Sequence, residues 1–233
     1  MLFEGVISTV GRWILPPVCL ICGRRARDGL DCCAGCEADL PTNRIACCQC
    51  GLPLASPARR CGRCARRPPA FATTEAAFEY VGVVESLVQR FKFRRDLAAG
   101  RVLGALTAKR LAAAGAARPQ ALVPVPLHWR RRLWRGFNQS EMIARDLSRS
   151  LGGIPVADLL ERRRATPAQS ALPAARRGGN VRGAFRARLP GCRPAHLALV
   201  DDVMTTGATL NECARALRRA GVVRVDVWVV ARA

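Results

Sequence analysis

The sequence predicts an α/β protein: a parallel sheet flanked by helices, preceded by a small cysteine-rich zinc-binding domain. Three observations carry this. Ten of the 12 cysteines lie between Cys19 and Cys64. Past Pro68-Pro69 cysteine vanishes until Cys192, and apolar strand-like runs alternate with helical patterns. One of those runs ends in two acids and a turn of small residues before a helix begins. The chain has 233 residues, and 50% of them are hydrophobic, enough for a core. Aromatics are 5%, too few for long tracks of base-stacking rings. No run of about 18 uncharged apolar residues is present, which excludes a transmembrane helix.

Residues 1–18 open with an acid and lack a basic region, so they read as an amphipathic helix and not as a signal peptide; a cytoplasmic location follows as an expectation. Residues 19–69 form the cysteine module. Cys19-x2-Cys22 is followed after ten residues by Cys33-x2-Cys36, and the same pattern returns 28 residues later as Cys47, Cys50, Cys61 and Cys64. Gly23 and Gly51 follow the first pair in each copy. An internal repeat of paired cysteines matches tetrahedral zinc, each Cys-x2-Cys turn aiming two sulfurs at one point. Too few large apolar residues are present to fold the module without a staple, and metal binding supplies that free energy. The doublets Cys32-Cys33 and Cys47-Cys48 and the missing export signal argue against disulfides. Two structural zinc ions are expected, with Cys32 and Cys48 as spares; whether sequential or interleaved pairs share a metal stays open.

Residues 70–233 read as the second domain. Ala76 to Gly82 alternates like a strand, and Val84, Leu87, Val88, Phe91 and Phe93 mark a helix running into a basic end. Leu97 to Ala114 is a helix closed by Gly115; Ala121 to Leu127 is a short strand ending in prolines. Ser140 to Leu151 is a helix stopped by Gly152-Gly153, and Glu161 to Asn180 reads as an arginine-rich mobile loop. Leu197 to Val200 is a buried strand, Leu210 to Arg219 a helix stopped by Gly221, and Val222 to Val230 a closing strand.

The chemistry concentrates at His196 to Leu210, HLALVDDVMTTGATL. Ligands of open α/β sheets sit outside the carboxyl ends of strands. Backbone N–H groups at a helix N-terminus cradle phosphate, Thr205, Thr206 and Thr209 add hydroxyls, and Gly207 admits close approach. Asp201 and Asp202 would repel a bare phosphate, so vicinal sugar hydroxyls or a metal-bound sugar suit them better. A phosphate nest beside an acidic pair describes a sugar phosphate. The bland alternative, a threonine-capped helix, leaves the two acids unexplained. A Walker A loop is excluded because no Gly-Lys-Ser/Thr occurs.

VDDVMTTGATL resembles the phosphoribosyl pyrophosphate (PRPP) signature of type I phosphoribosyltransferases. With VPVPLHWRRRLWRGFNQS, the Arg162, Arg164, Thr166, Gln169 spacing, and RRGGNVRGAF, the chain from about Cys19 to Val230 resembles the ComF family, competence-associated proteins with a cysteine zinc module ahead of a phosphoribosyltransferase-like domain. The resemblance implies a type I phosphoribosyltransferase-like sheet and a site for PRPP with magnesium. It places Val200, Asp201, Asp202, Val203, Met204, Thr205, Thr206, Gly207, Ala208 and Thr209 at PRPP, with Asp201 and Asp202 as the catalytic pair on the ribose hydroxyls. Val125, Pro126, Leu127 and His128 fall in the pyrophosphate loop. Arg164, Thr166, Gln169 and Arg177 fall in the flexible hood loop. The acids are expected to touch ligand and not core.

Phosphoribosyl transfer passes through an oxocarbenium-like sugar as pyrophosphate leaves, so cations on the leaving group and exclusion of water are needed. Arg130, Arg131, Arg132 and Arg135, with Arg164 and Arg177, could supply charge. The hood, residues 159–185, is short of aromatic rings and names no acceptor. The net charge of +21 comes from 36 arginines and only two lysines, a bias that a GC-rich coding sequence would also produce; two four-thiolate zinc sites bring it to about +17. Two function classes therefore stand side by side. One is a PRPP-binding protein with phosphoribosyltransferase activity toward an unknown acceptor, linked through the family to DNA uptake. The other is a single-stranded DNA-binding competence factor without transferase activity, partnered by a competence helicase; a purine or pyrimidine salvage transferase is a further alternative. A clustered basic stripe from the zinc module to the PRPP cleft would favour DNA, and evenly spread arginines would favour composition bias.

Overall fold

A computed structural model describes residues 17–27, 29–127, 136–163, 182–189, 191 and 194–233. In the cysteine module two single-turn helices form, α1 (Ala34–Ala38) and α2 (Gly62–Arg66). Then come β1 (Thr74–Glu79), α3 (Gly82–Phe93), α4 (Leu97–Ala113), β2 (Ala121–Pro124) and α5 (Gln139–Ser150). The chain closes with β3 (Leu160–Arg162), β4 (Phe185–Ala187), β5 (His196–Met204), α6 (Ala208–Arg219) and β6 (Arg224–Arg232).

The central sheet has the order β1-β6-β5-β2, with every pairing parallel. Its strands are buried on both faces, as parallel sheets must be. Helices α3, α4 and α5 cover one face, where Leu87, Phe91, Leu103, Ile143 and Leu147 pack with Val200, Trp228 and Val230. Gly100 in α4 permits this: a Cβ there would lie 2.5 Å from the ring of Phe91. Helix α6 covers the other face, where Leu210, Cys213 and Leu217 pack with Leu197, Leu199 and Val227. The antiparallel β3–β4 pair joins that second core through Leu160 and Phe185.

Both sheet edges are closed. Beyond β2, Val156 bridges Leu122 in parallel. Beyond β1, the stretch joining the two cysteine repeats runs antiparallel: Thr42 bridges Phe78, and Asn43 and Glu79 bond Ala77 and Pro41. An unpaired β1 edge would invite association, and the cysteine module covers it. No described helix is long and apolar enough to cross a membrane.

Several elements differ from the sequence expectation. Strand β5 does not stop at Val200; pairing with β6 continues to Met204 opposite Arg232, so both acids lie inside the strand. Its partner β6 correspondingly runs to Arg232 and not to Val230. Helix α6 is not threonine-capped: its N-cap is Gly207, in the left-handed region at φ 76. Glu161 and Arg162 are strand and not loop, because β4 offers them a partner. Strand β1 starts at Thr74 and gives way to α3 at Gly82. Phe93 ends α3 60% exposed and is outside the core. The amphipathic helix read at residues 1–18 lies, through residue 16, outside the described residues.

Candidate sugar-phosphate site and zinc centres

The repeated cysteines gather into two tetrads, Cys19-Cys22-Cys33-Cys36 and Cys47-Cys50-Cys61-Cys64, each with its sulfurs within 4.8 Å of one another. Sequential pairs therefore share a site, which settles the pairing left open by spacing. Cys22 Sγ lies 3.7 Å from Cys33 Sγ, and Cys50 Sγ 3.7 Å from Cys61 Sγ. A tetrahedron with Zn–S bonds of about 2.3 Å has edges of about 3.8 Å, so the tetrads fit the ion. All these cysteines are free thiols, far beyond disulfide length. Burial alone would raise Cys19 and Cys47, yet backbone N–H donors around each outweigh it and hold both thiols down at about 6. Cys32 and Cys48 stand outside the tetrads; Cys32 is buried against the α3–α4 core, and burial pushes its thiol up to about 12.

The topology puts the ligand cleft expected of an open α/β sheet at the carboxyl ends of the adjacent strands β2 and β5. From β2 the chain turns into α5 on one face; from β5 it turns into α6 on the other. Connections leaving in opposite directions open a crevice at a topological switch point, where α/β sheets take ligands. The loop 205–207 stands between Met204 and α6. Its shape depends on Gly207: a Cβ there would lie 2.5 Å from Met204 Cε, in a left-handed backbone that side chains rarely adopt. Thr206 Oγ1 accepts from the N–H of Ala208. Thr205, Thr206, Ala208 and Thr209 are half-buried, while Val200, Met204 and Gly207 are buried. The Val200 carbonyl accepts from the N–H of Val125, and that of Met204 from Arg232 and Ala233. Val203 is half-buried beside them.

Adjacent strand residues point to opposite faces, so Asp201 and Asp202 diverge. Asp202 is 7% exposed and ion-pairs with Lys92 from the last turn of α3, Nζ to Oδ1 at 3.0 Å. Its carboxylate also accepts from the N–H of Val203 at 2.6 Å. Asp201 accepts from Ser140 Oγ at 2.8 Å, in the first turn of α5, and from the N–H of Asp202. Burial, then the neighbouring Asp202 charge, push Asp201 up to about 7, against the pull of Ser140 and Lys92. The expectation that both acids are free of structural duty is corrected: Asp202 neutralises a half-buried lysine.

Across the cleft, Val125 is buried and Pro126 and Leu127 half-buried; Asn138, which caps α5, donates to the Val125 carbonyl at 3.2 Å. His128, Arg130, Arg131, Arg132, Arg135, Arg164, Thr166, Gln169 and Arg177 lie outside the described residues. His196 sits at the far end of β5, bonded to Asp226 at 2.8 Å, in a cluster with Arg224 well away from the cleft. Sequence reasoning missed Lys92, Ser140, Arg63 and Arg232. That Lys92 is one of only two lysines beside 36 arginines was the one available signal.

Comparison with known proteins agrees with this architecture. Residues 10–65 match a double zinc ribbon domain, and residues 138–233 a phosphoribosyl transferase domain. "DNA utilization protein YhgH" of Salmonella typhimurium is 36% identical over 92% of this chain and 90% of its own. "Competence protein F" of Haemophilus influenzae is 35% identical over 89% and 92%. The chain belongs to the ComF family. Within that family, "Competence protein ComFC" of Streptococcus pneumoniae is more distant, 28% identical over 67% of each chain. A solved allosteric regulatory enzyme of purine biosynthesis overlays 57% of this ComF chain and 26% of its own, at 23% identity and a TM-score of 0.39.

Proposed function

We propose that this ComF-family protein binds PRPP with magnesium at the β2–β5 cleft and acts there as a phosphoribosyltransferase-type protein. The observation that carries the reading is the Gly207 nest. A left-handed glycine caps a 12-residue helix at the carboxyl end of β5, beside two acids. Helix N-terminal amides favour a phosphate. Asp201 is the carboxylate for ribose hydroxyls, held in place by Ser140. Magnesium bound with PRPP would neutralise charge on the leaving pyrophosphate. Opposite, Val125, Pro126 and Leu127 serve the pyrophosphate, with His128 assigned to the same loop by the family resemblance. Arg162 stacks over Phe185, 5.4 Å from the ring centroid, and anchors the base of the hood.

Titration calorimetry with PRPP and magnesium tests this. Asp201→Asn should weaken binding at least tenfold, the worth of a hydrogen bond to a charged group. It is a cleaner variant than one at Asp202, whose loss strands Lys92. Binding as tight as the parent's would remove Asp201 from the ribose.

A second reading, handling of single-stranded DNA, is favoured by a separate observation. From Asp39 to Glu75 the chain carries no acid but six arginines: Arg44, Arg59, Arg60, Arg63, Arg66 and Arg67. All six are exposed, and none has an ion pair among the described residues, unlike Arg27, Arg90, Arg145, Arg149 and Arg215. The second zinc ribbon thus carries a basic patch without acids, and Arg63 brings it to the loop at Thr206. The relatives' names, "DNA utilization protein" and "Competence protein F", point the same way.

A further inference from the structure

The two cysteine repeats are alike in spacing and unlike in what they touch. The first docks on α3 and α4: Arg90 donates to the Leu20 carbonyl, Arg101 pairs with Asp31, and Lys109 pairs with Glu37. The second reaches the phosphate loop itself. Arg63, in α2 between Cys61 and Cys64, donates from Nη2 to the Thr206 carbonyl at 3.2 Å. Buried Arg232 joins the carbonyls of Cys50 and Met204, each at 3.0 Å, and so ties a zinc knuckle to the residue before the loop. Asn211 in α6 accepts from the N–H of Ala70 at 2.7 Å, just past the ribbon. At the position equivalent to Arg63 the first repeat has Gly35.

We propose that Arg63 is a phosphate-binding residue contributed by the second zinc ribbon, acting on the 5′-phosphate end of a sugar phosphate; this rests on the reading of Thr205 to Thr209 as the phosphate loop. A guanidinium carries five donors, and one of them holds the loop carbonyl. The cation is thereby stationed beside the helix N-terminus that takes the anion, where the two fields add. The cysteines on either side of Arg63 are ligands of one tetrad, so the metal fixes the position of α2 and with it the guanidinium. The ribbon then serves the ligand as well as the fold.

Calorimetry with ribose 5-phosphate, and separately with pyrophosphate, tests this on the parent, Arg63→Ala and Arg63→Lys, alongside zinc content and thermal melting. Arg63 is exposed, so the alanine variant should keep two zinc ions and the parental melting temperature. Its affinity for ribose 5-phosphate should fall roughly tenfold, the worth of a charge-assisted hydrogen bond. Pyrophosphate binding should be unchanged, and lysine should restore part of the loss. Unchanged ribose 5-phosphate affinity in Arg63→Ala overturns the inference while leaving the loop assignment standing. Equal losses for both anions, or loss of zinc or of melting temperature, overturn it as a local contact. A parent that binds no ribose 5-phosphate overturns the loop assignment as well.

Discussion

Asp201 shows how burying one carboxyl makes stability depend on pH. Burial and the Asp202 charge raise it to about 7 in the folded chain, from an ordinary 3.8. Between those two pH values the folded protein keeps a proton that the unfolded chain has lost, so this group's contribution to stability falls as pH rises through the window and stays low above about 7. Of the groups around it, Lys92 and Ser140 favour the charged form, and burial with the Asp202 charge outweighs them. Asparagine keeps the acceptor for Ser140 without the charge. Asp201→Asn should therefore melt at a higher temperature than the parent at pH 8, with a margin that shrinks toward pH 5.5. Melting curves at the two pH values check this, and a margin independent of pH would show that the carboxylate is comfortable where it sits. Removing a buried functional charge commonly stabilises a fold at the cost of its activity. Lys92→Met should do the reverse at Asp202, lowering the melting temperature by leaving a buried carboxylate without its cation.

At the scale of elements, the loop 205–207 and α6 depend on one glycine. Gly207→Ala forces a left-handed alanine against Met204 Cε, at a cost of about 1–3 kcal/mol. The reading of the phosphate loop adds that sugar-phosphate affinity should fall more than stability does, which melting and calorimetry on one preparation would separate. The alternation of strands and helices was legible in the sequence because apolar runs bounded by glycine carry it: Gly115, Gly152 and Gly153 close helices where their pattern stops. The repeat of paired cysteines was legible because metal ligation needs fixed spacing. The ends of β5 and β6 were not legible. Aspartate and arginine inside a strand look like its boundary until Lys92, Ser140 and the carbonyls of Cys50 and Met204 arrive from elsewhere to satisfy them. Strand β3 was hidden for a related reason: among the described residues its partner is β4, 23 positions and more downstream. Arg63 carried no sequence signal at all, one arginine among 36, and only its contact with Thr206 singles it out.

For the whole molecule, charge decides how it meets a polyanion. The acids seen to pair with arginines lie in the first cysteine repeat and in the sheet domain, where ion pairs form within the fold. The second zinc ribbon has none, so its arginines face solvent beside the cleft. A nucleic acid on that surface would be held through phosphates, because aromatic side chains are too scarce for stacking to matter. Binding to single strands should then be weak in sequence preference and steep in salt. Each phosphate neutralised contributes about −0.7 to the slope of log K against log salt, so five arginines give roughly −3 to −4. Replacing Arg59, Arg60, Arg66 and Arg67 with glutamine, and leaving Arg63 and the zinc ligands alone, should make that slope shallower by roughly 3 by the same rule. PRPP binding should survive, since none of the four touches the loop. Fluorescence anisotropy with a labelled single strand at several salt concentrations reads the slope, and calorimetry reads PRPP. A slope that the four substitutions leave unchanged would move the DNA contact off the ribbon, and the arginine excess there would then reflect composition alone.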